Sequence, residues 1–153
     1  IISQTTFPAS EVYTAEMKVE STNSSYPAIG WYSTTDGTGY SLFANNNYAA
    51  IGKSNTSTGS QYCYPIDFAS TNAEASNSIG IWSLTWIETK AIVGNFPTLQ
   101  YPINSIDGTY KRDDTLVLVV GTVGNGPGAL SLDWVRARKY TNPEPVVSIT
   151  KNR

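Results

Sequence analysis

The chain has 153 residues, a formal net charge of -2, no histidine and a single cysteine, Cys63. This balance excludes a broad electrostatic pull toward nucleic acid or an anionic membrane. It also excludes imidazole as base or metal ligand and any internal disulfide. The length suits one domain with a real core, and no run approaches the ~18 apolar residues of a membrane helix. Charged residues are only 14% of the chain. The surface is therefore built from hydroxyls and amides, which suits an extracellular or cell-surface setting. The sequence opens on Ile1-Ile2, without an initiator methionine, and reads as a processed form or a fragment.

In chain order the apolar period is two, the period of strands. "IISQTTF" is strand-like from its first residue. In "VYTAEMKVES", Tyr13, Ala15, Met17 and Val19 share one face and Thr14, Glu16, Lys18 and Glu20 the other. "YPAIGWYS", "TTDGTG" and "YSLFA" read as strand, turn and strand of an antiparallel hairpin. "YAAIGK" and "YCYPIDF" are short strands flanking a polar loop, and Pro65 marks an edge or strand end. In "SIGIWSLTWIET", Trp82, Leu84 and Trp86 alternate onto one face. "TLVLVVGTV" is apolar at successive positions, as a strand covered on both sides would be. "ALSLDWVRARKY" returns as a charged edge strand, with Leu130, Leu132 and Trp134 on its core face. Regular alternation places Asp133 and Arg136 on opposite faces, unless the strand bulges. Pro143 and Pro145 end that ladder. The pattern predicts an all-β fold, two antiparallel sheets packed as a sandwich over residues 1–142. Residues 143–153 form a proline-rich exit and an extended segment.

"DWVRARKYTNPEPVVSI" resembles the closing strand and tail of concanavalin A-like, laminin G-like domains in archaeal and bacterial surface proteins. "IISQTTFPASEVYTAEMKVES" with "YPAIGWYS" is similar to their early strands. The resemblance spans about residues 1–149, with its distinctive part in the Asp133–Tyr140 run. It implies a jelly-roll sandwich and an extracellular location, and it implies no particular ligand. Relatives usually carry a further strand before the position of Ile1, so an incomplete sandwich is expected.

Hydrolases of this fold often present Glu-x-Asp-x-x-Glu on one strand face, and glycoside hydrolysis needs two carboxylates across the bond. The nearest approach is Glu16, Lys18 and Glu20. A cation between the acids disfavours a general acid, so a solvated face and no catalytic residue are expected. No cofactor is expected. Calcium is the one conceivable ion, with Asp36 and Asp107 in Asp-Gly turns as candidate oxygen ligands. Aromatic rings beside amides suit the flat face and polar edge of a sugar. Trp31 and Tyr32 point to opposite faces, so one of them is expected at the surface. The candidate ligand surface is Trp31, Tyr40, Asn45, Asn46, Asn47, Tyr48, Tyr62 and Tyr64. Asn23 and Asn55 fit the N-glycosylation pattern.

Two functions follow as expectations. One is a non-catalytic module binding a glycan or another cell-surface ligand. The other is a subunit that associates with copies of itself by donating a strand, with Ile1, Ile2, Val146, Val147 and Ile149 as the assembly residues.

Overall fold

The computed structural model describes residues 1–23, 26–44, 49–56, 67–72, 79–88, 91–95, 103–105, 109–110, 112, 115–123 and 129–141. Among these the regular structure is entirely β: β1 (Ile2–Pro8), β2 (Tyr13–Asn23), β3 (Tyr26–Ser33), β4 (Thr38–Ala44), β5 (Ala49–Asn55), β6 (Asp67–Asn72), β7 (Gly80–Glu88), β8 (Ala91–Asn95), β9 (Ile103–Ser105), β10 (Thr115–Val123) and β11 (Ala129–Lys139). Six strands form one sheet in the order β1-β10-β3-β4-β5-β6, and five form the other in the order β11-β2-β7-β8-β9. Every pairing is antiparallel. The expected two-sheet sandwich is present. No helix among the described residues is long and apolar enough to cross a membrane.

Alternation drives the packing. Ala15, Met17 and Val19 of β2 and Trp82, Leu84 and Trp86 of β7 turn inward and are buried. They meet Ile29 and Trp31 of β3, Tyr40 and Leu42 of β4, and Ile51 of β5 in one apolar cluster. The Trp31 indole Nε1 donates to the Leu84 carbonyl at 3.1 Å, which ties the two sheets through an otherwise apolar layer. A buried indole N–H without such an acceptor would cost free energy.

The outer face of the six-stranded sheet is also covered. Ala28, Tyr32, Phe43, Ala50, Val117 and Val119 form a second buried cluster there. This accounts for the unbroken apolar run in β10, where Leu116 to Val120 are all buried. Glycines make room on this face. The Tyr32 ring lies close over β4, so a Cβ at Gly39 would meet the ring at 2.5 Å and run into the Trp31 carbonyl oxygen. The Tyr32 hydroxyl in turn accepts from Ser54 Oγ at 3.0 Å.

The "TTDGTG" turn closes the β3–β4 hairpin as expected. Gly37 takes a φ of 68°, a left-handed conformation that suits glycine. The Asp36 carboxylate accepts from the Thr38 amide at 2.9 Å and from its hydroxyl at 2.8 Å. At the far corner, the half-buried Arg112 guanidinium donates to the carbonyls of Ile87 and Glu11, pinning the β1–β2 connection to the end of β7.

Candidate functional site

Stacking the two sheets leaves their two sides unlike. On one side β9 lies under β5 and β6, so the last strands of both sheets meet. On the other side β10 lies across from β11, which ends the five-stranded sheet. β1 stands one place further out. Only its far end is covered by the other sheet, where the Phe7 ring meets Tyr13 of β2 edge-on at 5.1 Å between centroids.

A cavity of about 230 Å³ opens beneath this overhang, along the seam between β1 and β11. Its apolar wall comes from Ile1 and Phe7 beside β10 residues Leu118 and Val120, and from Val135 and Ala137 of β11. Ser3, Thr5 and Arg136 complete it. Ile1 is 85% exposed and Val135 36% exposed, although both sit where a sandwich normally buries its side chains. Ile2, on the other face of β1, is 49% exposed.

The two strands bordering the seam differ in regularity. β1 loses register between Ile2, which faces Val119, and Thr6, which faces Val117. Ser3 patches this gap, for its hydroxyl accepts from the Leu118 amide at 3.1 Å and donates to the Thr5 carbonyl at 2.8 Å. Ile1 rejoins the ladder, with its ammonium donating to the Val120 carbonyl at 2.7 Å. Such a bulge blunts β1 as a template for another strand. β11, by contrast, pairs regularly with β2 from Trp134 to Lys139.

Upstream of that run, β11 carries two offsetting irregularities. Leu132 pairs with Val19, and Trp134 pairs with Lys18. Glu20 and Asp133 are left as extra residues on their strands. The alternation therefore changes phase. Leu130 and Leu132 pack on the core before the shift, and Ala137 does so after it. This corrects the expected core position of Trp134. Its ring is only partly buried and lies beneath the Arg136 guanidinium, 4.7 Å from ring centroid to carbon.

The Glu16 face is likewise not the solvated one expected. Glu16 is 7% exposed. Its two oxygens accept separately, from Arg136 Nε at 2.6 Å and from Arg138 Nε at 2.8 Å. Burial pushes the Glu16 carboxyl up, but the hydrogen bonds and charges of Arg138 and Arg136 outweigh it and hold the group below the usual carboxylate range. Lys18 turns away to the bulged Asp133, at 2.6 Å. Lys139 pairs with Glu11 at 2.9 Å. β11 is thus fastened to the body by its ladder with β2 and by ion pairs to Glu16, Lys18 and Glu11.

The residues chosen for sugar binding are not brought together. Trp31 and Tyr40 are 1% and 0% exposed, and Tyr32 is buried as well. The β3–β4 hairpin is covered on both faces, so neither Trp31 nor Tyr40 offers a ring to a ligand, and neither stays a surface candidate. Asn45, Asn46, Asn47, Tyr48, Tyr62, Tyr64 and Asp107 lie outside the described residues, as do Val146, Val147 and Ile149. The backbone of Asn23 closes β2, and Asn55 closes β5 in a half-buried position. The Asp36 carboxyl is held below its usual range, chiefly by the Thr38 amide, as a turn-former would be. No three His, Cys, Asp or Glu side chains gather among the described residues.

Sequence reasoning singled out Ile1 and missed Val135 and Ala137. The phase change at Asp133 hides them, because a slip of two offsetting residues leaves the letter pattern of the strand unchanged. No protein-family model, curated protein or solved structure matches the chain.

Proposed function

We propose that this chain is a non-catalytic extracellular β-sandwich subunit that associates with copies of itself at the β1/β11 seam. The observation that carries the reading is the overhang, where one sheet is a strand wider than the other over an apolar cavity. A sandwich closes such a gap by adding a strand. An unpaired edge offers N–H and C=O groups to an extended segment, while the cavity takes alternate side chains. β11 ends the five-stranded sheet beside that cavity.

The concanavalin A-like kinship and jelly-roll connectivity belong to the same proposal. They rest on the Asp133–Tyr140 run and agree with two opposed antiparallel sheets. Residence at a cell surface rests on the uncharged, hydroxyl-rich composition and on that kinship. Absence of affinity for nucleic acid rests on the net charge of -2. The non-catalytic reading is supported by Glu16, whose carboxylate is engaged by two arginines and so unsuited to donate a proton near neutral pH. Glycan binding is the other reading, and it now depends on Asn45 to Tyr48, Tyr62 and Tyr64.

Light scattering and electron microscopy of the purified chain test the proposal against Val135→Asp and Ile1→Asp. The wild-type chain is expected to form concentration-dependent assemblies, and both variants to stay monomeric while folded. Equal assembly by the variants, or a wild-type chain monomeric at every concentration, would overturn it.

A further inference from the structure

We infer that β11 is an acid-released strap, in which neutralising Glu16 frees Trp134–Lys139 from β2 and takes away one wall of the seam while the rest of the sandwich stays closed. The consequence for association rests on the seam being the contact between copies. The release itself does not.

Three observations carry it. The first is what holds the strand. β4 is buried at every position, but no residue from Leu130 to Lys139 is. Leu130, Leu132 and Ala137 pack only partly buried against the core, and Val135 is exposed. Apolar stabilisation scales with the area removed from water, so it is thin along this strand. Charge carries correspondingly more of the attachment. Glu16 takes Arg136 on one oxygen and Arg138 on the other, Asp133 takes Lys18, and Glu11 takes Lys139.

The second is what faces Glu16. β11 presents Arg136 and Arg138, β2 presents Thr14 and Lys18 to either side, and β7 presents the uncharged Ser83. Thr14 is engaged with the Thr85 hydroxyl and Lys18 with Asp133. Glu11, at the far end, also accepts from the Tyr13 hydroxyl, and its carbonyl accepts from Arg112. Burial raises the Glu16 carboxyl, but Arg138 and Arg136 prevail and hold it low. The clasp is therefore closed at neutral pH and opens only below 4.5, as pH falls through the lower folded value. Protonation turns two charge-assisted hydrogen bonds into weaker ones. It also leaves two guanidiniums rooted ~7 Å apart on one strand without the anion between them.

The third is where the strap can part from the body. The β2–β11 ladder shifts register twice between Ser131 and Trp134. Both partners of Glu16 lie beyond that point, on the regular stretch. Interrupted pairing bounds a segment that can open by itself. Val135 and Ala137, which line the cavity, belong to the same segment.

The test is amide exchange on wild type and Glu16→Gln, at a dilution where light scattering gives single chains, with protection referred to the intrinsic rate at each pH. Taking wild type from neutral pH to about pH 2.5, below the ordinary carboxylate range, should lower protection of Trp134–Lys139 roughly fivefold or more and leave β4 unchanged. Glu16→Gln should show lowered β11 protection already at neutral pH, and a smaller further loss in acid. If β4 loses protection together with β11, or neither responds, the inference falls. It falls equally if Glu16→Gln matches wild type at both pH values, for the acid response then belongs to other carboxylates. If β11 is released as expected but concentrated wild type never assembles at neutral pH, the strap stands and the self-association reading falls.

Discussion

The middle of the six-stranded sheet and the seam at its β1 edge are built from similar residues put to opposite use. In the middle, β4 is buried at every position from Thr38 to Ala44, with Tyr40 and Leu42 on one face and Phe43 on the other. At the seam, Ile1 and Val135 face the same interior direction and remain exposed. Composition does not separate the two regions, since both are rich in β-branched and aromatic residues. What differs is how fully the facing sheet covers them. Apolar exposure in a sandwich thus reports an incomplete layer, and it locates the surface at which a partner gains the most buried area.

Substitutions can break this contrast, and the largest effect is expected in the middle. Trp31→Ala removes a buried ring and its hydrogen bond to the Leu84 carbonyl. It should cost ~3–5 kcal/mol, read as a lower urea midpoint at unchanged slope. Gly39→Ala tests the glycine bed under Tyr32. The added methyl meets backbone on one side and a packed ring on the other, so ~1–3 kcal/mol is expected by the same assay.

Glu16→Gln sharpens the picture at the base of β11. It removes the charge that both arginines engage, but their side chains are 61% and 36% exposed, so solvent screening trims the effect to about 1 kcal/mol. The sign with pH follows from a carboxyl held below its ordinary value of 4.5. Its contribution is full above 4.5 and disappears as pH falls through the lower folded value. Thermal melts at descending pH should show wild type losing this increment while Glu16→Gln does not. The smallest effect on stability belongs to the seam. Val135→Asp should change the urea midpoint by no more than about 0.5 kcal/mol equivalent, yet abolish association. A large loss of stability there would mean that the seam is closed within one chain.

Much of this architecture was legible in residue periods. Trp82, Leu84 and Trp86 alternate inward as read, the "TTDGTG" hairpin forms, and the uninterrupted run in β10 corresponds to a strand covered on both faces. What escaped reading was non-local. Trp31 and Tyr32 do face opposite ways, but period two cannot say that the second face is covered too. Glu16 resembled a wet strand position because its partners, Arg136 and Arg138, lie 120 and 122 residues away. Trp134 was misplaced because the phase slip in β11 is set by pairing with β2 and leaves no trace in the order of residues. The candidate site suffered most from this, for half of it stands on the strand whose phase changes.

Amide hydrogen exchange along β11, measured as protein concentration is raised, tests the central claim most directly. If copies associate at the seam, amides of β11 should slow with concentration, while β4 stays uniformly protected. Exchange along β11 that does not respond to concentration would contradict the account.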